Sequence, residues 1–122
     1  MKNAPAQLIA RTLAVRTAAH LAHLQTSSYA QHVALGDFYS SIIDTMDEYA
    51  EVYMGLFGMD DVQDVPEVAI PAQRPLVFLT TFHEWLSENY EACSRGETCL
   101  KNLLDEMKAT TARTMYKLRF LK

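Results

Sequence analysis

Apolar residues recur every three or four positions along most of the chain, a spacing typical of helices, and no segment predicts a strand. A first helix is predicted over residues 6–25, a segment rich in Ala and Leu. One stripe of this helix is formed, at helical spacing, by Ile9, Leu13, His20 and Leu24. His20 is therefore expected to face the core.

A second helix is predicted to open at Ser28 and to end at Phe57, before Gly58. Ser28 is followed three residues later by Gln31, which is the pattern of a capping box. The helix is apolar on more than one face, through Val33, Leu35, Phe38, Tyr39, Ile42, Ile43, Met46, Tyr49, Val52, Tyr53, Met54, Leu56 and Phe57. Because packing within one chain needs only a single stripe, we expect the surplus to form a contact between subunits.

The segment 58–74, which contains Pro66 and Pro71, is predicted to be a long connection that can cross from one end of the molecule to the other. Pro75 is predicted to be the first residue of a third helix, since proline is favoured there. The core stripe of that helix is Leu79, Phe82, Leu86, Tyr90 and Cys93.

Ser94 and Glu97 suggest a second capping box around Gly96, opening a fourth helix that runs to the C-terminus. Its apolar stripe is Leu100, Leu103, Met107, Leu118 and Leu121. Two short hairpins joined by one long crossover define an all-α fold, a ferritin-like four-helix bundle with the crossover between its second and third helices. At 122 residues, with 49% hydrophobic content, the chain is predicted to be one domain over residues 1–122.

Charge is distributed unevenly. Between Arg16 and Arg74 there is no Lys or Arg, and this stretch holds nine acids: Asp37, Asp44, Asp47, Glu48, Glu51, Asp60, Asp61, Asp64 and Glu67. These acids form either an ordinary solvated face and loop or a surface that concentrates cations. The last fifteen residues carry cations and no acid, which suits the end of a helix. Nucleic-acid binding is not expected, since it needs many clustered cations.

The apolar pattern of the chain also bears on where in the cell the protein is expected. There is no apolar run near eighteen residues and no signal-peptide pattern, so we expect a protein of the cytoplasm, or of a host cytoplasm or virion if it is virus-encoded. The two cysteines, Cys93 and Cys99, are expected to be buried or partly buried thiols, and their disulfide state stays open.

A set of metal-type ligands lies in the first two predicted helices: His20, His32, Asp47 and Glu51. Asp47 and Glu51 follow His32 by fifteen and nineteen residues. In an unbroken helix this places them roughly 22 to 28 Å from His32. His20 and His32, in contrast, flank the polar break between the helices and are expected at the same height. One chain therefore cannot hold all four residues at one site.

Two copies of the second helix, packed antiparallel about a two-fold axis near Ser40, would bring histidines of one chain to carboxylates of the other. Gly36, Ser40 and Ser41 are small enough for the helices to approach closely. The spacing thus predicts a homodimer through the second helix with two equivalent metal sites.

The run His20-x11-His32-x14-Asp47-x3-Glu51 resembles the iron-site motif of the Dps family, the small ferritin-like proteins that protect DNA during starvation. The resemblance implies a ferroxidase centre shared across a dimer interface. It also implies iron as the bound metal and assembly into a shell. The chain departs from the family at Gly36, where a further aspartate is usual, and at Val52, where an arginine is usual.

Each residue of the set also has an interpretation without metal. His20 could be a hydrogen-bonded core histidine, His32 a capping or surface residue near a helix start, and Asp47 and Glu51 ordinary solvated carboxylates. Histidine and carboxylate ligands suit iron, manganese or zinc equally. Two functions are therefore open. One is a Dps-like metal-binding protein that oxidises or stores iron. The other is a structural or interaction protein, such as a virion or assembly component of a phage, that keeps the bundle with a degenerate site.

Overall fold

The computed structural model describes residues 3–122, and over these residues it is all-helical without a strand. None of the helices in this range is long and apolar enough to cross a membrane. The six helices are α1 Ala4–Gln25, α2 Tyr29–Phe57, α3 Asp60–Gln63, α4 Pro75–Glu88, α5 Tyr90–Ser94 and α6 Thr98–Phe120.

The bounds predicted for α1 agree with the structure to within two residues, but its predicted core stripe is wrong at two of its four residues. Leu13 is 39% and Leu24 is 66% exposed, whereas Leu8, Val15 and Ala19 are buried. The buried face consists largely of alanines, whose small side chains allow close packing against two neighbouring helices but give a weak apolar pattern. The stripe drawn through the largest apolar residues therefore marked a partly exposed face.

The beginning and end of α2 agree with the prediction. The Ser28 hydroxyl accepts a hydrogen bond from the Gln31 N–H at 3.3 Å, so Ser28 is the N-cap. The Gln31 side chain does not return to Ser28, because it accepts instead from the Thr26 hydroxyl at 2.9 Å. Gly58 ends the helix with a φ of 82°, which an L side chain rarely adopts.

Helix α2 contacts α1 on one side and α6 on the other. Its large apolar side chains are mostly buried or half-buried in these two contacts, so the apolar surplus is accounted for within one chain. The exposed side of α2 is polar and acidic. It carries Asp37, Ser40, Ser41, Asp44, Asp47, Glu48 and Glu51. The apolar surplus consequently gives no support for a subunit contact.

The four long helices contact one another in a cycle: α1 with α2, α2 with α6, α6 with α4, and α4 with α1. Each neighbouring pair is antiparallel. Asp37, early in α2, pairs with Lys117 near the end of α6, and Arg11, in the first half of α1, lies over Trp85 near the end of α4. Helices α2 and α4 therefore run in the same direction, and the connection 58–74 has to return along the length of the molecule.

The structure differs from the prediction where the third predicted helix meets the fourth. Pro75 begins α4 as predicted, but the helix is interrupted at Asn89, whose side chain donates to the Trp85 carbonyl at 3.0 Å. The predicted capping box at Ser94 and Glu97 is wrong, because the Ser94 hydroxyl bonds the Glu91 carbonyl inside α5. A left-handed turn at Arg95 and Gly96, with φ values of 51° and 78°, leads into α6 instead.

The two cysteines are free and differ in exposure. Cys93 is buried, and its burial raises the pKa of the thiol to about 12. Cys99 is exposed, so the prediction of a buried or partly buried thiol is wrong there.

We expect one thiol of the native protein, that of Cys99, to react with a thiol-specific chromogenic reagent near pH 8, because the thiolate is the reactive form and Cys93 stays protonated. Both should react after unfolding in guanidinium chloride. The Cys99→Ser variant should be unreactive until it unfolds; rapid labelling of this variant in the native state would contradict the burial of Cys93.

Candidate functional site

Two histidines close the hairpin between α1 and α2. The rings of His23 and His32 are stacked, with centroids 3.8 Å apart and an interplanar angle of 17°. His23 Nδ1 donates to the His32 carbonyl at 2.6 Å, and His32 Nδ1 donates to the His23 carbonyl at 2.8 Å. Because a carbonyl oxygen can only accept, both Nδ1 atoms carry a proton. In the neutral form, each Nε2 atom is then left with a free lone pair.

His20 lies one turn before His23 and contacts a different residue of α2. Its ring stacks on Tyr39, with centroids 4.1 Å apart and an interplanar angle of 15°. Tyr39 also meets His23 edge-on at 5.3 Å, which links the rings into one cluster. The residue level with His32 is therefore His23, not His20 as predicted, because only three residues separate α1 from α2 and the two helices are offset.

Gly36 provides the space for this cluster. A Cβ atom at this position would lie 3.1 Å from both Cε1 and Nδ1 of His23. That separation is tighter than most real contacts, so a larger residue would push His23 away from His32. The close approach predicted at Gly36 thus occurs, but against a side chain of the same chain. The role of His23 in closing the hairpin was not predicted from the sequence, although a glycine inside a helix opposite a histidine was an available signal.

Asp47 and Glu51 lie on a separate surface. Because α2 is unbroken from Tyr29 to Phe57, they are several turns from His32, as the spacing predicts. Both are exposed, and so are Asp44 and Glu48 beside them. None of these four carboxylates has an ion-pair partner within residues 3–122.

Two other acids of the cation-free stretch are engaged within the chain. Asp61 accepts a hydrogen bond from the Tyr53 hydroxyl at 2.7 Å and lies 3.8 Å from Arg95, which ties α3 to α2 and to the turn before α6. Burial is the main cause that raises the pKa of Tyr53. Asp37 lies 3.9 Å from Lys117 of α6. The acidic stretch therefore includes both structural ion pairs and unpaired carboxylates.

Within one copy of the described chain, no group of three or more His, Cys, Asp and Glu side chains is arranged to hold a metal ion. His20 and His32 belong to the cluster at the hairpin end, and Asp47 and Glu51 belong to the exposed face of α2. Joining the two pairs requires a second copy.

Residues 23–118 match the model of a family of unknown function, DUF5856, and the chain belongs to this family. Over 50 residues the chain is 34% identical to a protein of enterobacteria phage T4, described as an uncharacterized 14.6 kDa protein in the mobD-ri intergenic region. The matched stretch covers 41% of this chain and 39% of the phage protein. No solved structure matches the chain.

Proposed function

We propose that this protein is a metal-binding ferritin-like bundle whose sites form between two copies. His20 and His32 of one chain would act with Asp47 and Glu51 of the other. Iron is the first candidate metal, with manganese and zinc as alternatives, and iron oxidation by a ferroxidase reaction or iron storage is the activity that the site would serve. The observation that carries this proposal is the orientation of His32. Its Nδ1–H is fixed on a backbone carbonyl, and metal-ligating histidines are commonly held in this way.

The arrangement of the helices supports the ferritin-like part of the proposal. Antiparallel neighbours in a closed cycle, with the second and third long helices running in the same direction, require one long crossover. The connection 58–74 has the required position. A bundle with short loops throughout would instead reverse direction at every connection.

The charges on α2 indicate how the dimer would depend on metal. Asp37 and Asp44 lie at about equal distances on either side of Ser40. A two-fold axis near Ser40 would therefore bring Asp37 of one copy close to Asp44 of the other. Lys117 lies beside Asp37, but Asp44 has no such partner among residues 3–122, so negative charge remains at the contact. The metal-free dimer should therefore be weak, and a cation bound by the four ligands should strengthen it.

We expect sedimentation velocity at micromolar concentration to show a monomer–dimer equilibrium that zinc or manganous ions shift toward the dimer. Ser40→Glu adds charge at the axis and should leave the protein monomeric with or without metal. Ser87→Glu is a matched control on the exposed side of α4 and should dimerise as the wild type does. A wild type that stays monomeric with every metal would remove the shared site. Anaerobic ferrous titration followed by native mass measurement would report the metal, its stoichiometry and the assembly together.

A second function is favoured by the contacts of the histidines themselves. His20, His23 and His32 belong to one aromatic cluster with Tyr39. His23 and His32 also link α1 to α2 through backbone carbonyls, so they stabilise the fold without any metal. Together with similarity to a phage protein, this supports a structural or assembly role on an inherited bundle. Absence of any metal effect on mass, assembly and stability would favour this alternative.

A further inference from the structure

A cavity of about 330 Å³ lies on the side of the molecule formed by α1 and α4. It is lined by the crossover residues 68–73, by the middle of α1 and by α4 from Phe78 to Trp85. It is distinct from the histidine cluster and from the acidic face of α2. Its volume is at the lower end of the range of about 300–1,000 Å³ typical of small-molecule sites.

Two residues of the cavity have a buried hydrogen-bond donor without a partner in the described part of the chain: Nε of Arg11 and Nε1 of Trp85. Trp85 is only 8% exposed, and the Arg11 guanidinium carbon lies 5.2 Å from the centroid of its ring. A buried donor that lacks an acceptor is unfavourable, and such groups are rare in folded proteins. Guanidinium and indole groups can donate but cannot accept, so an occupant that pairs with them has to supply acceptors.

The rest of the lining restricts the occupant further. Arg11 is its one charged residue, and no acid lines the cavity among residues 3–122. Most of the other lining side chains are apolar, including Val15, Ile70, Phe78 and Phe82. A single guanidinium pairs well with a carboxylate through two parallel hydrogen bonds. A phosphate group, with a charge of about −1.5 to −2, would need more cations than the cavity offers.

We propose that this cavity binds a small organic carboxylate, with the carboxylate at Arg11 and Trp85 and an apolar body against α4 and the crossover. The site does not involve the proposed metal ligands, so a negative result for one proposal leaves the other unaffected.

Trp85 is the single tryptophan of the chain, so its fluorescence reports directly on the cavity. We would titrate the wild type with hexanoate, with hexan-1-ol and with inorganic phosphate, in the absence of metal. Hexanoate should give a saturable change and bind at least about tenfold more tightly than hexan-1-ol, because the charge-assisted hydrogen bonds are absent for the alcohol. Phosphate should neither change the emission nor compete.

Arg11→Met keeps an unbranched apolar side chain and removes the charged guanidinium group. It should reduce the preference for acid over alcohol to within about twofold, which is the loss expected when the charge-assisted bonds disappear. Arg16→Met is the matched control. Arg16 also belongs to α1 and also has a buried Nε without a partner among the described residues, but it does not line the cavity. This variant should keep the wild-type preference.

Circular dichroism checks that both variants fold. If Arg11→Met does not fold, the wild-type comparison still decides. Equal affinity for hexanoate and hexan-1-ol, no saturable change with hexanoate, or competition by phosphate would each overturn the proposal.

Discussion

Ferrous, manganous or zinc ions should raise the melting temperature of the metal-free protein by on the order of 10 °C when their concentration is about a hundredfold above Kd. The reason is mass action. A ligand that binds the folded dimer and not the unfolded chain stabilises it by RT ln(1 + [M]/Kd), about 2.7 kcal/mol at that excess. Differential scanning fluorimetry under anaerobic conditions would measure the shift.

Single variants would test whether the proposed ligands, rather than other acidic residues, cause the shift in melting temperature. His20→Ala and Asp47→Asn should each abolish the shift, measured against the variant's own metal-free baseline because His20 also stacks on Tyr39. In heterodimers formed by mixing the two variants, one of the two sites has both native partners, so half of the sites should return. Asp60→Asn, on the exposed side of α3, should leave the shift intact.

The wild type is expected to respond to at least one of the three metals. If it responds to none, or if Asp47→Asn responds as the wild type does, the four residues do not form a metal site. The structural function then becomes the better explanation, since the contacts of the histidine cluster stabilise the fold without metal.

Two glycines of α2 should respond oppositely to substitution. Gly36→Leu should destabilise the protein by about 1–3 kcal/mol, because the new side chain has to displace His23 from its stack and from its bond to His32. Gly55→Ala should stabilise it by about 0.5–1 kcal/mol, since nothing lies within 4 Å of the new Cβ and alanine is the better helix former. Urea unfolding followed by circular dichroism would give both free energies.

A double-mutant cycle would show whether His23 causes the difference. In a His23→Ala background, Gly36→Leu should lose most of its destabilising effect, because the obstructing ring is gone. If Gly36→Leu is as stable as the wild type, the contact between Gly36 and His23 does not constrain the hairpin. Because this contact lies within one chain, Gly36 variants cannot report on a dimer, whereas Ser40→Glu can.

Much of the helical framework could be predicted from local sequence signals. Ser28 at the start of α2, Gly58 at its end and Pro75 at the start of α4 act on the backbone within a few residues, and their effects are therefore readable from sequence. The apparent capping box at Ser94 and Glu97 failed, because Arg95 and Gly96 form a left-handed turn that this pattern does not encode.

The packing of α1 and α2 was harder to predict, since it depends on which faces have neighbours. A helix between two neighbours is apolar on two faces, so α2 resembled a helix with a subunit contact.

The candidate site could be predicted along one helix but not between helices. Separations along α2 follow from the helical rise, so the distance between His32 and Asp47 could be predicted. Which histidine of α1 lies beside His32 depends on how far α1 and α2 are offset along their axes. The sequence does not specify that offset.

The crossover gives the molecule one further property. Residues 64–74 form no helix and are largely exposed, so they are the natural site for limited proteolysis. The two resulting fragments would each retain one pair of long helices. Since α1 contacts α4 and α2 contacts α6, every long helix of one fragment lies against a helix of the other. The protein should thus behave as a pair of complementing fragments that reassemble after cleavage, with the covalent link needed to keep residues 68–73 beside the cavity between α1 and α4 rather than to hold the helices together.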